Sequence, residues 1–131
     1  MKKLIPILFF YIFLLTSCVW DKDAAIFLST EPSFSSNQTV FKQRQKIYYA
    51  LVSKEPIESE KLRLQVLRID KIEPAFKVEF AYGMDINRGA QKHYVTDYFT
   101  LHKAGTYFIR IFSFDNLENP LAETEFIVEG L

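Results

Sequence analysis

The sequence is poor in the residues that build metal sites, disulfides and phosphate cradles. Its 131 residues include one cysteine, two histidines and four glycines. A single cysteine forms no internal disulfide, and two distant histidines add too little for a zinc cage. Charge of one sign is not in excess either, since 16 Lys and Arg balance 16 Asp and Glu, whereas a nucleic-acid surface needs clustered positive charge. We expect no metal, no cofactor and no nucleic-acid partner.

A long apolar run occurs only near the N-terminus. Lys2 and Lys3 precede the twelve residues Leu4 to Leu15, and this run ends at Thr16. A basic start followed by a short apolar run is typical of a secretory signal peptide. The run is also shorter than the roughly 20 residues that a membrane-spanning helix needs. We therefore predict a signal-peptide helix over residues 1–17.

The end of this run contains the only cysteine of the chain. Leu15, Thr16, Ser17 and Cys18 together resemble the lipobox of bacterial lipoproteins. The resemblance implies cleavage between Ser17 and Cys18. It also implies a lipid anchor on Cys18 whose acyl chains include palmitate. It places the protein in the cell envelope. Because Val19 rather than aspartate follows the cysteine, it favours the outer membrane where the organism has two.

The chain after Cys18 is predicted to be a short tether over residues 18–23 and one domain over residues 24–131. The domain sequence consists of short segments with alternating apolar and polar residues, separated by turn residues. Such alternation indicates strands with one face on a core. About seven strands at this spacing predict an all-β, antiparallel sandwich.

Four segments define the expected core faces. The alternation is clearest where one set of apolar residues faces a set of polar ones. In the second of these segments the alternation breaks between Leu67 and Ile69. The predicted core-facing residues are Ile47, Tyr49 and Leu51; Leu62, Leu64 and Val66; Phe76, Val78, Phe80 and Tyr82; and Ala122, Thr124, Phe126 and Val128.

The C-terminal third contains a recognisable corner. Leu101, Gly105 and Tyr107 resemble the turn between strands E and F of immunoglobulin-like and fibronectin-type sandwiches, in which a tyrosine hydroxyl bonds back to the corner backbone. The resemblance implies an immunoglobulin-like fold with these three residues as a structural corner. The chain departs from antibody domains because it has no cysteine pair between sheets. The fold alone implies no particular activity.

Candidate catalytic residues are few. His93 and His102 are the only histidines, and no histidine or cysteine stands at metal-ligand spacing from another. The sequence also contains no serine-hydrolase elbow and no phosphate-binding loop. We predict no catalytic residue and no metal site, and we expect the protein not to be an enzyme.

The strand that follows the corner provides a candidate binding face. If Tyr107 faces the core, then the alternate residues Phe108, Arg110, Phe112 and Phe114 face outward. Aromatic residues around an arginine are typical of interface hot spots. Tyr48 and Val52 extend this face only if their strand lies in the same sheet. The alternative is that a neighbouring segment, such as residues 31–45, covers these side chains.

These observations predict a lipid-anchored envelope protein that binds another protein or acts as a scaffold. Two alternatives remain open. One is a small envelope enzyme or an accessory subunit that uses His93 and His102. The other is a structural spacer domain.

Overall fold

The computed structural model describes residues 23–72 and 75–130, without the side chains at positions 71, 72 and 76. These residues form eight strands and no helix. The strands are β1 (Ala24–Ser29), β2 (Val40–Lys42), β3 (Lys46–Ser53), β4 (Lys61–Ile72), β5 (Ala75–Asn87), β6 (Tyr94–Thr100), β7 (Gly105–Ser113) and β8 (Ala122–Glu129). The predicted signal-peptide helix, the cleavage site at Ser17 and the lipidated Cys18 lie outside the described residues.

The strands form two sheets. The small sheet has the order β1-β3-β6, and the large sheet has the order β2-β8-β7-β4-β5. All pairs are antiparallel except β2 with β8, which is parallel. The three-residue β2 is the additional strand beyond the seven or so that the sequence predicts. The predicted fold class, an all-β immunoglobulin-like sandwich, is confirmed.

The core lies between the two sheets and is rich in aromatic rings. Phe126 is at its centre, with ring centroids 5.4 Å from Tyr107, 6.0 Å from Phe41 and 6.1 Å from Phe99. Ring pairs at 4.5 to 7 Å add to the free energy of burial. The predicted core faces of β3, β4 and β8 are largely buried, because Thr124 alone among their predicted residues remains half-exposed.

The predicted core face of β5 is wrong. Val78 and Phe80 are 57% and 64% exposed, whereas Tyr82 packs against the core. The register explains the change: Val66 pairs with Tyr82 and Leu67 pairs with Phe80, so Ala81 is an extra residue on β5. A β-bulge of this kind shifts the alternation of side chains by one position. Residues before Ala81 therefore point the other way from what a uniform alternation predicts.

Candidate interaction surface

The outer face of the large sheet carries two apolar rows that run across the strands. Residues paired across strands project from the same face of a sheet. Phe80, Leu67 and Phe108 are paired in one row across β5, β4 and β7. The next row contains Val78, Ile69, Thr106 and Ile127 in the same way. We call the six apolar residues of these rows the outer apolar patch: Leu67, Ile69, Val78, Phe80, Phe108 and Ile127.

The exposure of the patch increases towards the edge of the sheet. Phe108 on β7 and Leu67 on β4 are half-buried, whereas Phe80 on β5 is 64% exposed. Ile127 on β8 is 43% exposed. Contiguous exposed apolar residues on a folded domain commonly mark an interaction site.

The other half of the same face is polar and carries two arginines. Arg63 Nε lies 3.0 Å from Asp85 Oδ1, and Arg110 Nη2 donates to Gln65 Oε1 at 3.1 Å. The Arg63 guanidinium lies 5.0 Å from the centroid of the Phe114 ring. The two halves therefore differ in chemistry, one suited to apolar partners and the other to polar ones.

The predicted exposed face on β7 requires a correction at Phe112. This ring is only 5% exposed, although it lies on the outer side of the sheet. The guanidinium of Arg110 lies 5.4 Å from its centroid, and Arg63 is its paired residue on β4. Long arginine side chains cover apolar surface with their stems. Phe108, Arg110 and Phe114 are half-buried, so none of the four predicted residues is fully exposed.

The residues that the sequence analysis considered as extending or covering the face on β7 lie in other parts of the fold. Tyr48 and Val52 lie on β3, in the small sheet, so they do not extend a surface on β7. The chain before β2 lies along β1: Gln38 N donates to Leu28 O at 2.8 Å, and Leu28 N donates to Asn37 Oδ1 at 2.9 Å. These bonds cover the edge of the small sheet.

The corner residues predicted from the sequence lie together at one end of the sandwich. Leu101 is buried, and the Tyr107 hydroxyl donates to the carbonyl of Lys103 at 2.5 Å. Gly105 has a φ of +153°, and a Cβ there would lie 2.6 Å from Arg68 Nε. Arg68 Nε in turn donates to Ala104 O at 3.0 Å. The missing side chain at position 105 thus lets the guanidinium approach the corner backbone.

Burial has a direct effect on the two tyrosines of the core. It raises the pKa of Tyr107, and nearby Arg68 partly offsets this increase. It also raises the pKa of Tyr49, and Asp97 adds to the effect. The Tyr49 hydroxyl is buried without a hydrogen-bond partner among the described residues. Both groups remain neutral at physiological pH, because an ordinary tyrosine already titrates near 10.

The two histidines are far apart. His93 precedes β6 and His102 follows it, so a strand of seven residues separates them. At about 3.3 Å per residue, the strand between them is about 23 Å long. His93 Nδ1 lies 3.1 Å from Ser53 O, and both histidines are exposed. They do not share one site.

An apolar pocket of about 320 Å³ lies on the outer face of the small sheet. Phe34 lines it from the loop before β2, and it has a φ of +52°, which is unusual for a bulky residue. The facing strands contribute Phe27, Ala50, Val52 and Tyr94. Sequence patterns do not predict this pocket, because its lining comes from the loop before β2 and from β1, β3 and β6, which are far apart in the chain.

Within 23–72 and 75–130, no group of three or more His, Cys, Asp or Glu side chains is placed to hold a metal ion. No helix in the same residues is long and apolar enough to cross a membrane.

No protein-family profile and no curated protein sequence matches the chain. Among solved structures, the PmoD soluble domain of Methylocystis sp. is similar, with a TM-score of 0.52 and 14% identity over 81% of this chain and 90% of that chain. An immunoglobulin-like protein of Pseudomonas aeruginosa has a TM-score of 0.47 and 14% identity, over 81% of this chain and 91% of that chain. A superoxide reductase (neelaredoxin) of Ignicoccus hospitalis has a TM-score of 0.49 and 12% identity, over 88% of this chain and 87% of that chain.

The first of these similarities shows the β fold and nothing more, because its sequence identity is low. The other two scores are too low to support an argument. The two-sheet topology and the tyrosine corner define the chain as an immunoglobulin-like sandwich domain, a class compatible with a non-enzymatic module.

Proposed function

We propose that this protein is a lipid-anchored component of the cell envelope, in the outer membrane where there are two. The support is the lipobox-like sequence Leu15 to Cys18 after a basic and apolar segment. Because β1 begins at Ala24, only five residues separate Cys18 from the first strand. At about 3.3 Å per residue such a tether holds the domain close to the membrane surface.

The anchor is tested by Cys18→Ser in the full chain. We expect the variant to leave the membrane fraction and to keep the melting midpoint of the wild-type domain, because the cysteine precedes the described strands. Ser35→Ala, an exposed change in the loop before β2, is the matched control and should stay on the membrane. Cys18→Ser protein that remains in membranes would show that an uncleaved signal segment is the anchor.

We further propose that the domain binds an envelope protein through the outer apolar patch, as a non-enzymatic binding or scaffolding module. The observation that carries this proposal is the exposure of Phe80, Val78 and Ile127 on one face. An exposed apolar surface is costly in water unless a partner covers it for part of the time. The polar half of the face, with Arg63 and Arg110, supplies the rim that protein interfaces commonly have.

A photocrosslinker at position 127 tests this binding in the native host. Ile127 lies on β8, away from the sheet edge at β5, and is 43% exposed. We expect a discrete adduct with another envelope protein there. The control position is Tyr98, which is 46% exposed on the small sheet. Equal adducts at both positions, or none at either, would favour the spacer alternative.

The enzyme alternative makes a different prediction. His93→Ala combined with His102→Ala should abolish activity if either histidine reacts, and should leave the Ile127 adduct unchanged. We expect the double variant to support wild-type growth and envelope integrity, because the two side chains lie at opposite ends of β6. A folded double variant with the phenotype of a deletion would favour the enzyme.

A further inference from the structure

We propose that two copies of this chain pair through the edge strand β5, antiparallel, about a twofold axis at Val78. This inference goes beyond the proposed partner and depends on the fold alone. Strand β5 is the last strand of the large sheet, and no strand of the described residues pairs with its outer edge. An edge strand presents unpaired N–H and C=O groups that can form a ladder with another strand.

The two ends of the fold differ in how their edges are protected. The edge at β1 is covered by Asn37 and Gln38, and the opposite edge of the large sheet is the short β2. Strand β5 is long, Ala75–Asn87, and contains Val78 and Phe80, the two most exposed large apolar side chains in the described part of the chain. Proteins usually blunt such an edge with a short strand, a covering strand, a bulge or inward-pointing charges. Among the described residues no strand covers β5, and its bulge at Ala81 and its inward Lys77 and Glu79 restrict pairing to a register that matches these charges.

The occupant is a second copy because the strand is complementary to itself in charge. In an antiparallel pair centred on Val78, the two valines are opposite each other. Lys77 of each copy is then opposite Glu79 of the other. Both residues of that pair lie on the inner side of the sheet, since they pair with Asp70 and Arg68 of β4. Opposite charges across strands stabilise a pair.

Other registers of this half of β5 are less favourable. A centre at Lys77 or at Glu79 places like charges directly opposite each other, which destabilises a strand pair. A register shifted by one residue places inner positions of one copy opposite outer positions of the other, so that the side chains of one copy would point to the wrong face of the sheet. Centres at Phe80 and at Ala81 combine residues on both sides of the bulge. They place outward Val78 opposite inward Tyr82 and inward Met84, respectively.

The proposed contact leaves the existing ion pairs in place. Glu79 Oε1 lies 3.2 Å from Lys103 Nζ and 3.5 Å from Arg68 Nη1 within its own chain. A carboxylate accepts about four hydrogen bonds, so Glu79 has capacity for Lys77 of the other copy. Pairing also brings two outer apolar patches side by side on one continuous sheet, because residues paired across the twofold axis share a face.

Cysteine crosslinking in membranes of cells that express the full chain tests the register. Val78→Cys should form a disulfide-linked dimer on mild oxidation, because the two sulfur atoms meet at the twofold axis. Met84→Cys is the matched control: it lies on the same strand and is 44% exposed, yet it is six positions from the axis. We expect at least a tenfold difference in the crosslinked fraction. Equal crosslinking, or no dimer at Val78→Cys, would overturn the proposal.

A charge exchange provides a second test in the Val78→Cys background. Lys77→Glu places two carboxylates opposite each other at both contacts, and Glu79→Lys places two ammonium groups there. Each variant alone should lose most of the dimer. Co-expression of the two, with different tags, should restore a mixed dimer, because all facing charges are then opposite. If no mixed dimer forms although both variants are folded, the register is contradicted. If Val78→Cys instead forms a disulfide with a different protein, that protein and not a second copy binds β5.

If the dimer fails while the Ile127 adduct forms, the proposed binding function stands and only self-pairing is excluded. If the dimer forms without that adduct, self-pairing stands and the proposed partner is excluded.

Discussion

Strands β5 and β7 flank β4 in the same sheet, yet their outer faces differ sharply in burial. On β7, Phe112 is 5% exposed, whereas on β5 Phe80 is 64% exposed. Both rings project from the same side of the sheet. Strand β7 has neighbours on both sides and two arginines beside its ring, whereas β5 has one neighbouring strand within residues 23–72 and 75–130. The surroundings of a residue, rather than its type or face, decide whether its ring is buried.

This difference has a consequence for the two strands. Phe112 contributes to stability, because its ring is removed from water. Phe80 contributes little to the folded monomer and is available for contacts.

Removal of the two rings should have the largest and most unequal effects. Phe112→Ala should lower the free energy of unfolding by about 3 kcal/mol, since it deletes a buried aromatic side chain. Phe80→Ala should change it by less than about 1 kcal/mol, as is usual for exposed positions. Urea unfolding of both variants measures the difference. Similar losses would mean that a second copy or a partner already buries Phe80 under the conditions of measurement, so the experiment is repeated at several protein concentrations.

The glycines of the two strands give the next comparison. Gly105→Ala should cost about 1 to 3 kcal/mol, because alanine is strained at a positive φ and its Cβ would approach Arg68 Nε to 2.6 Å. Gly105→Val should cost more, because a β-branched side chain is bulkier. A Cβ at Gly83 would clash with the Phe80 ring, but this exposed ring can rotate away. We expect Gly83→Ala to shift the melting midpoint far less, and equal effects of Gly105→Ala and Gly105→Val would contradict the role of φ.

Much of the fold could be predicted from local pattern. The core face of β3 and the corner at Gly105 and Tyr107 follow from alternation and from turn residues within a few positions. The inner face of β5 could not be predicted in this way, because one bulge residue, Ala81, reverses the side-chain phase. Its only trace in the sequence is on the partner strand, where the alternation breaks after Val66.

The candidate surface was less accessible to prediction than the fold. The outer apolar patch combines β4, β5, β7 and β8, whose order in the sheet differs from their order in the chain. Its recognition requires the register of three strand pairs, which alternation within one strand does not contain. The burial of Phe112 also depends on the path of the Arg110 side chain. A strand pattern predicts which face a residue occupies but not what lies over it.

The tyrosines of the two strands provide the smallest expected difference. Tyr107→Phe should lower the free energy of unfolding by about 1 to 2 kcal/mol, because it removes the partly buried hydrogen bond from the Tyr107 hydroxyl to the carbonyl of Lys103. On β5, the Tyr82 hydroxyl contacts Met84 Sδ at 3.2 Å near the surface, and sulfur is a weak acceptor. Tyr82→Phe should therefore change the midpoint of urea unfolding within the error of measurement. An unchanged midpoint for Tyr107→Phe would show that the corner is held by Leu101 and the backbone of Gly105 rather than by the hydroxyl.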